Sequence, residues 1–113
     1  MDLTNELNNL IKKLDVSVKS LRNTGSDYAK AYTDYRVALA KELVRLKDDG
    51  MAVTIAYDVA RGKPEIAKLK FIEIATEAIY KANQESINAL KLQIKIIQEQ
   101  INKEFGVSGK GEI

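Results

Sequence analysis

Acidic pairs are the residues of this sequence whose types and spacing could do chemistry. Asp48 and Asp49 could bind a hard cation, and Glu73 and Glu77 lie on one face if their segment is a helix. Each pair also has a simpler interpretation, as solvated charges at a helix end and as surface charges beside lysines. The sequence has no His and no Cys, which excludes thiolate nucleophiles, Ser–His pairs and the usual zinc sites. We therefore predict that the protein is not an enzyme and holds no cofactor and no metal.

A group of tyrosines offers a second kind of chemistry. Tyr28, Tyr32 and Tyr35 follow one another at spacings of four and three residues, which places them on one face of a helix. Such a stripe could stack on nucleic-acid bases. Tyrosine stripes more often pack in a core or an interface with their hydroxyls at the rim, and packing is the interpretation we favour.

Basic residues cluster around two predicted turns between residues 45 and 70. They could contact phosphates or a protein partner. Their other interpretation is structural, because Lys and Arg near helix C-termini interact with exposed carbonyls and the helix dipole. Acidic residues are interleaved with them, so nucleic-acid binding is possible on this surface but is not the favoured function. The candidate surface comprises Arg45, Lys47, Arg61, Lys63, Lys68 and Lys70.

A long helix is predicted over residues 64–105. Pro64 suits the first helical turn and Glu65 complements the positive end of the helix dipole. Apolar residues then recur at steps of three and four, which is typical of one helical face. That face comprises Ile79, Asn83, Ile87, Leu90, Ile94, Ile97 and Ile101. A second set lies on a neighbouring face and comprises Phe71, Ala75, Ala78, Ala82, Ala89, Leu92 and Ile96.

Residues 90–96 also alternate between apolar and polar, which is a strand pattern. Their long flanks contain no turn residues, so a helix with two apolar stripes is the better interpretation. A helix with so wide an apolar surface needs more than one neighbour. One interpretation buries it within the chain; the other, which we favour, places a second copy of the protein on it. The predicted oligomer interface comprises Ile79, Leu90, Leu92, Ile94, Ile96, Ile97 and Ile101.

The N-terminal part predicts a long helix over residues 3–49. Its apolar stripe passes through Leu14, Val18, Tyr32 and Leu39 with several four-residue steps, which indicates stutters in a heptad pattern. Gly25 weakens a helix by about 1 kcal/mol relative to Ala. One continuous helix and two shorter helices therefore both remain open.

Shorter features complete the organisation. Gly50 is the expected left-handed residue after the first helix, and Thr54 is predicted to cap a short helix over residues 54–61. Residues 106–113 are rich in Gly and are predicted to form a flexible tail. Residues 1–105 are thus predicted to form one helical domain.

Composition limits the class of protein. The 113 residues carry 18 Lys and Arg against 16 Asp and Glu, a net charge of +2, so no strong electrostatic attraction to nucleic acid or membrane follows. The first residues lack a basic region followed by an apolar one, and no apolar run is long enough to span a membrane. We therefore expect no signal peptide, no membrane contact and a cytoplasmic location.

Several segments carry a resemblance to a known class of proteins. They are residues 35–42 (YRVALAKE), 49–54 (DGMAVT), 60–62 (ARG) and 87–91 (INALK). They resemble small helical proteins encoded by phages and prophages of Gram-positive bacteria, over roughly residues 28–105. The resemblance implies a cytoplasmic, non-enzymatic accessory protein in the bacterial host cell, encoded among early genes for recombination, replication or host takeover. It implies no specific activity and no functional residues.

The sequence as a whole predicts an all-α fold. Two long helices form an antiparallel, coiled-coil-like hairpin, and a short helix connects them at the tip. Because a lone hairpin buries little core for a chain of this length, we expect pairing into a helical bundle, as a homodimer or a higher even oligomer. The predicted function is protein–protein binding, to itself and to a host or phage protein. The alternative is a nucleic-acid-binding accessory protein for phage replication or recombination.

Overall fold

The structure, a computed structural model, describes residues 2–111 and their side chains through residue 106. Its elements are three helices, α1 (Leu3–Asp48), α2 (Val53–Gly62) and α3 (Pro64–Gly111). The described residues contain no strand. Helices α1 and α3 pack against each other as a hairpin, which confirms the predicted fold class. Contacts divide the chain into unit 1, Met1–Arg22 with Ala82–Ile113, and unit 2, Asn23–Lys81.

Helix α1 is continuous through the segment around Gly25, so the single-helix interpretation is confirmed. Asp2 caps its first turn, because its Oδ1 accepts hydrogen bonds from the backbone N–H groups of Thr4 (3.0 Å) and Asn5 (3.3 Å). Gly25 lies against an aromatic ring, since a Cβ atom there would be 3.1 Å from Cε1 of Tyr80. Because Gly25 has no side chain, the ring of Tyr80 can pack closely against α1, and the helix continues through this position.

The end of α1 is a Schellman motif around Gly50. The N–H of Met51 donates to the carbonyl of Leu46 (3.1 Å), and the N–H of Gly50 donates to that of Lys47 (2.9 Å). Gly50 has a φ of +89°, which favours glycine. Met51 packs against the cluster that contains Leu46, as this motif requires. The predicted role of Gly50 is confirmed.

The start of α2 differs from the prediction. The residue before the helix is Ala52, which is extended and makes no side-chain cap, whereas Thr54 lies inside the helix. The predicted cap was wrong because the helix begins one residue earlier, at Val53, and the carbonyl of the extended Ala52 accepts the N–H of Ala56 (2.8 Å). Lys63 is extended, as expected before a proline, and Pro64 begins α3 as predicted.

Helix α3 runs to Gly111 rather than ending at Phe105. The prediction was too short because adding residues to an existing helix costs little and no proline interrupts this segment. Residues 106–111, predicted as part of a flexible tail, are therefore helical in their backbone. Residues 112 and 113 lie outside the described residues. Residues 90–96 are helical, so the strand interpretation is wrong.

In part of α1, the buried positions are shifted by one residue from the apolar stripe that the sequence predicted. Val18 is 49% exposed and Tyr32 is 44% exposed, whereas their neighbours Ser17 and Ala31 are partly or fully buried. The less exposed side of α1 passes from Leu14 to Ser17, without the predicted stutter at Val18, but the predicted consecutive four-residue steps around Leu39 are present. The prediction assumed that the most hydrophobic residues of α1 face α3. The position of a residue around the helix decides instead, so small residues also occupy the side that packs against α3.

Unit 2 has a core built around α2. Ala56 and Ala60 are fully buried, and their spacing of four places both on one face of the short helix. Because both are small, α2 lies close to its neighbours. The core of unit 2 comprises Tyr35, Leu39, Leu46, Ala56, Ala60 and Ile66.

Unit 1 consists of segments of α1 and α3 only. Its buried residues are Ile87, Leu90 and Ile97 of α3. Near them the helices are joined by small polar side chains: Ser17 Oγ lies 3.3 Å from Ser86 Oγ, and Asn83 donates to the carbonyl of Ser17 (2.9 Å). Unit 1 thus has a thinner core than unit 2.

Candidate functional site

The predicted oligomer interface separates into covered and uncovered residues. Leu90 and Ile97 are buried, and Ile94 and Ile101 are partly buried. These four follow the phase of the buried side of α3, so the chain itself covers much of their surface. Because these four residues were included, the predicted interface with another molecule was larger than the exposed surface of the seven residues. The other three predicted residues are exposed: Ile79, Leu92 and Ile96.

In unit 1 a groove opens between α1 and α3. Its larger cavity, of about 540 Å³, has Val16, Ala89 and Leu90 among its lining residues. On α3, Leu92 is 59% exposed and Ile96 is 47% exposed. A second cavity of about 290 Å³ shares Gln93 with the first and reaches Ile96. The groove exists because small side chains, among them Ser17, Ser86 and Ala89, leave space between α1 and α3.

In unit 2, α3 also carries uncovered apolar side chains. Phe71 is 71% exposed, and Ile74 and Ile79 are more than half exposed. Phe71 belongs to the second apolar stripe that the sequence predicted for α3. Exposed apolar residues are normal when scattered singly, whereas a contiguous patch of them is typical of an interaction site.

Half of the predicted basic surface is neutralised within the chain, because Arg45, Lys63 and Lys70 pair with acids. Glu42 is buried, and its carboxylate accepts hydrogen bonds from Arg45 Nε (3.2 Å) and Lys63 Nζ (3.1 Å). Arg45 also contacts Asp49 (3.3 Å). Glu42 was not predicted as a site residue, because nothing in its position along α1 distinguishes it from the other charged residues of the helix. Arg45 and Lys63 thus organise the chain reversal rather than present free charge.

Electrostatics at Glu42 follow from these contacts. The hydrogen bond from Arg45, followed by that from Lys63, lowers the pKa of Glu42 from 4.5 to about 2, although burial alone would raise it. The carboxylate is therefore charged at neutral pH and is held by two cations from opposite sides of the turn. Such a pair fixes geometry at a position where a buried unpaired charge would be costly.

Glu73 and Glu77 are not simple surface charges. Lys70 pairs with Glu73 (3.0 Å) and Lys81 with Glu77 (3.5 Å), as predicted, but Glu73 is buried. The hydroxyl of Tyr28 donates to Glu77 at 2.6 Å. That hydrogen bond is the main reason why the pKa of Tyr28 is raised to about 12 and the pKa of Glu77 is lowered. Glu77 therefore links α3 to α1 within unit 2, whereas Glu73 pairs within α3.

The tyrosine stripe is divided in the same way. Tyr28 and Tyr35 are packed within unit 2, whereas Tyr32 is exposed and contacts Tyr28 edge-on, with ring centroids 6.4 Å apart. The packing interpretation therefore holds for two of the three rings. Tyr32 has a different neighbour, since the guanidinium of Arg36 lies 6.0 Å from its ring centroid.

Two arginines of unit 2 stack on tyrosines instead of pairing with acids. Arg36 lies over Tyr32, and Arg61 lies 5.0 Å from the ring centroid of Tyr57. Sequence reasoning included Arg61 in the basic surface but missed Arg36 and Tyr57. The signal was present as a repeated spacing, because Tyr and Arg stand four residues apart in both helices. Lys47 and Lys68 of the predicted surface are exposed and have no ion-pair partner among the described residues.

The described part of the chain contains neither a group of metal-binding side chains nor a membrane-spanning helix. Within residues 2–111 no three His, Cys, Asp or Glu side chains are grouped so that they could hold a metal ion. Among the same residues no helix combines the length and the apolar character needed to cross a membrane. Asp49 is engaged with Arg45, which leaves the predicted acidic pair without convergent ligands.

Comparison with known proteins adds no relative. No protein-family model, no curated protein and no solved structure matches this chain.

Proposed function

We propose that the protein is a non-enzymatic helical interaction protein that acts by protein–protein binding as a homo-oligomer. The observation that carries this proposal is the uncovered apolar surface of unit 1: Val16 and Ile96 line the two cavities of the groove, and exposed Leu92 stands one helical turn before Ile96 on α3. Fully burying one such side chain contributes about 1.5–3 kcal/mol. A second molecule on this surface would bury three of them together with the groove.

Charge supports a second copy of the chain as the occupant. Lys12 and Lys13 line the groove on the α1 side. On α3, Glu85 and Glu99 are exposed and stand seven residues before and after Leu92, so they share its face. In a two-fold dimer the same patch meets itself, and the basic edge of each copy can face the acidic edge of the other.

The first test removes the apolar contact. We expect Leu92→Glu with Ile96→Glu to convert a homodimer into a monomer in sedimentation experiments at micromolar concentration. The matched control is Val37→Glu with Val44→Glu, which places the same charges at side chains of similar exposure (47% and 58%) in unit 2. A control pair that dissociates the dimer equally would show that this surface is not the interface.

The second test exchanges the charges. Reversing Lys12 and Lys13 to Glu should weaken association about tenfold at low salt, because each exposed pair contributes 0.2–1 kcal/mol. Reversing Glu85 and Glu99 to Lys should do the same. Combining all four reversals should restore association, because the pairs form again with opposite signs. Failure of that rescue would indicate that the occupant is a different protein, such as a host or phage factor.

The biological setting belongs to the same proposal. The segments that resemble phage and prophage proteins of Gram-positive bacteria support an early accessory protein in the cytoplasm of a bacterial host. The absence of His and Cys from the sequence supports a role without catalysis. Capture from host lysate with and without nuclease tests the partner: a protein retained after nuclease treatment supports protein binding.

A nucleic-acid-binding accessory protein is the second candidate. It is favoured by the exposed cations of the predicted basic surface whose charge no described acid neutralises, Lys47, Lys68 and Arg61. Binding to short single- or double-stranded DNA should then weaken steeply with added salt. It should also be lost with Arg61→Glu and Lys68→Glu. Unchanged DNA mobility at low salt would remove this candidate.

A further inference from the structure

A small cavity in unit 2 is lined by two arginines, one from each of two helices. Arg36 of α1 and Arg61 of α2 both line a cavity of about 270 Å³. Tyr35, Tyr57 and Leu43 form part of its wall. A neighbouring cavity of about 390 Å³ shares Tyr35 and Arg61. Both arginines thus border one concave surface whose other lining residues are aromatic and aliphatic, and Lys70 lines the neighbouring cavity.

The two guanidinium groups are held in place without using their hydrogen-bond donors. Each lies over a tyrosine ring, Arg36 over Tyr32 at 6.0 Å and Arg61 over Tyr57 at 5.0 Å. A cation–π contact uses the face of the guanidinium, whereas its five N–H donors lie in the plane of the group. No carboxylate of the described residues pairs with either arginine. The donors are therefore available while the side chains are partly ordered.

Arg45 of the same unit shows the opposite arrangement. Its donors are consumed by Glu42 and Asp49, and it has no ring beneath it among the described residues. Arg45 therefore has a complete structural role. Arg36 and Arg61 have charge, donors and preordering that the fold itself does not use.

We propose that this cavity binds a phosphate monoester carried on a small ring. Two guanidinium groups match the double negative charge of a phosphate monoester better than the single charge of a carboxylate, and each can bind it through two parallel hydrogen bonds. The apolar part of the wall provides a surface for a ring. The cavity, at about 270 Å³, lies just below the range for ligand sites, roughly 300–1,000 Å³, so a single ring fits better than a nucleoside.

Phenyl phosphate, adenosine monophosphate, inorganic phosphate and benzoate are the probes for this site. Titration monitored by NMR of the arginine Nε–H groups should show phenyl phosphate shifting Arg36 and Arg61 and leaving Arg45 unshifted. Inorganic phosphate and adenosine monophosphate should bind more weakly, and benzoate at least tenfold more weakly. Equal affinity for benzoate and phenyl phosphate, or for adenosine monophosphate and phenyl phosphate, would overturn the assigned ligand class.

Substitutions test the residues. Arg36→Gln and Arg61→Gln should each weaken phenyl phosphate binding about tenfold, and the double variant should abolish it. Lys47→Gln with Lys68→Gln, which removes two exposed cations elsewhere in unit 2, should leave it unchanged. Circular dichroism should show unchanged helicity in all variants. Retained binding in the double arginine variant, or equal loss in the lysine control, would contradict the site.

Discussion

Unit 1 and unit 2 are both built from the two long helices, but they bury apolar side chains differently. In unit 2 the short helix α2 covers the hairpin, and fully buried Ala56 and Ala60 mark how closely it packs. Unit 1 has no such cover, and its outer apolar residues stay exposed beside a groove. The difference lies in the core: α2 completes the core of unit 2 within the chain, whereas only α1 and α3 cover the buried residues of unit 1, and there we propose a second copy of the chain.

Overpacking α2 is expected to have the largest effect on this comparison. Ala60→Leu inserts a larger side chain where no space is exposed, and we expect a loss of about 3 kcal/mol in the free energy of unfolding. Ala29→Leu, at an exposed position of α1, is the control and should change stability by less than about 0.5 kcal/mol. Urea denaturation measures both. A tolerated Ala60→Leu would show that α2 does not complete the core of unit 2.

Truncation in unit 1 should have a smaller effect. Leu90→Ala removes a buried side chain that borders the groove, so part of the resulting space is already open to solvent. We expect a loss of about 2 kcal/mol, at the lower end of the range for such changes. Urea denaturation under conditions where the protein is monomeric provides the measurement. A loss above about 4 kcal/mol would mean that unit 1 has a tight core of its own.

Acid should act on unit 2 through Glu42. Its pKa is lowered to about 2 in the folded chain, so its contribution to stability is present above about pH 4.5 and is lost as the pH falls toward 2. Glu42→Gln should flatten the pH dependence of the unfolding temperature in that window. Glu65→Gln, an exposed acid near the same turn without an ion pair among the described residues, should leave it unchanged. An identical slope in Glu42→Gln and wild type would contradict the role of Glu42.

The smallest expected effect is at Gly25. Gly25→Ala gains about 1 kcal/mol in helix propensity, but its Cβ would meet Tyr80 at 3.1 Å. We expect the two to cancel within about 0.5 kcal/mol. In a Tyr80→Ala background the contact is gone, and the same substitution should stabilise by about 1 kcal/mol. Equal effects in both backgrounds would show that Tyr80 does not select glycine here.

The sequence predicted the features that local chemistry decides. Gly50 and Pro64 have few conformational alternatives, so their roles at helix ends were predictable from residue type. The phase of α1 was not, because Val18 and Ser17 compete for one position and only packing against α3 decides between them. The two Tyr–Arg stacks were visible as a spacing, but their convergence on one cavity depends on how α2 packs in unit 2.

The mass of the wild-type protein in solution tests the central claim most directly. Sedimentation equilibrium from about 1 to 100 micromolar should give a species of twice the 12.6 kDa chain mass, with dissociation toward the low end. Hydrogen exchange of α3 around Leu92 should slow as the dimer forms, while exchange in α2 stays constant. A folded 12.6 kDa monomer across the whole range would contradict the account that a second copy covers unit 1.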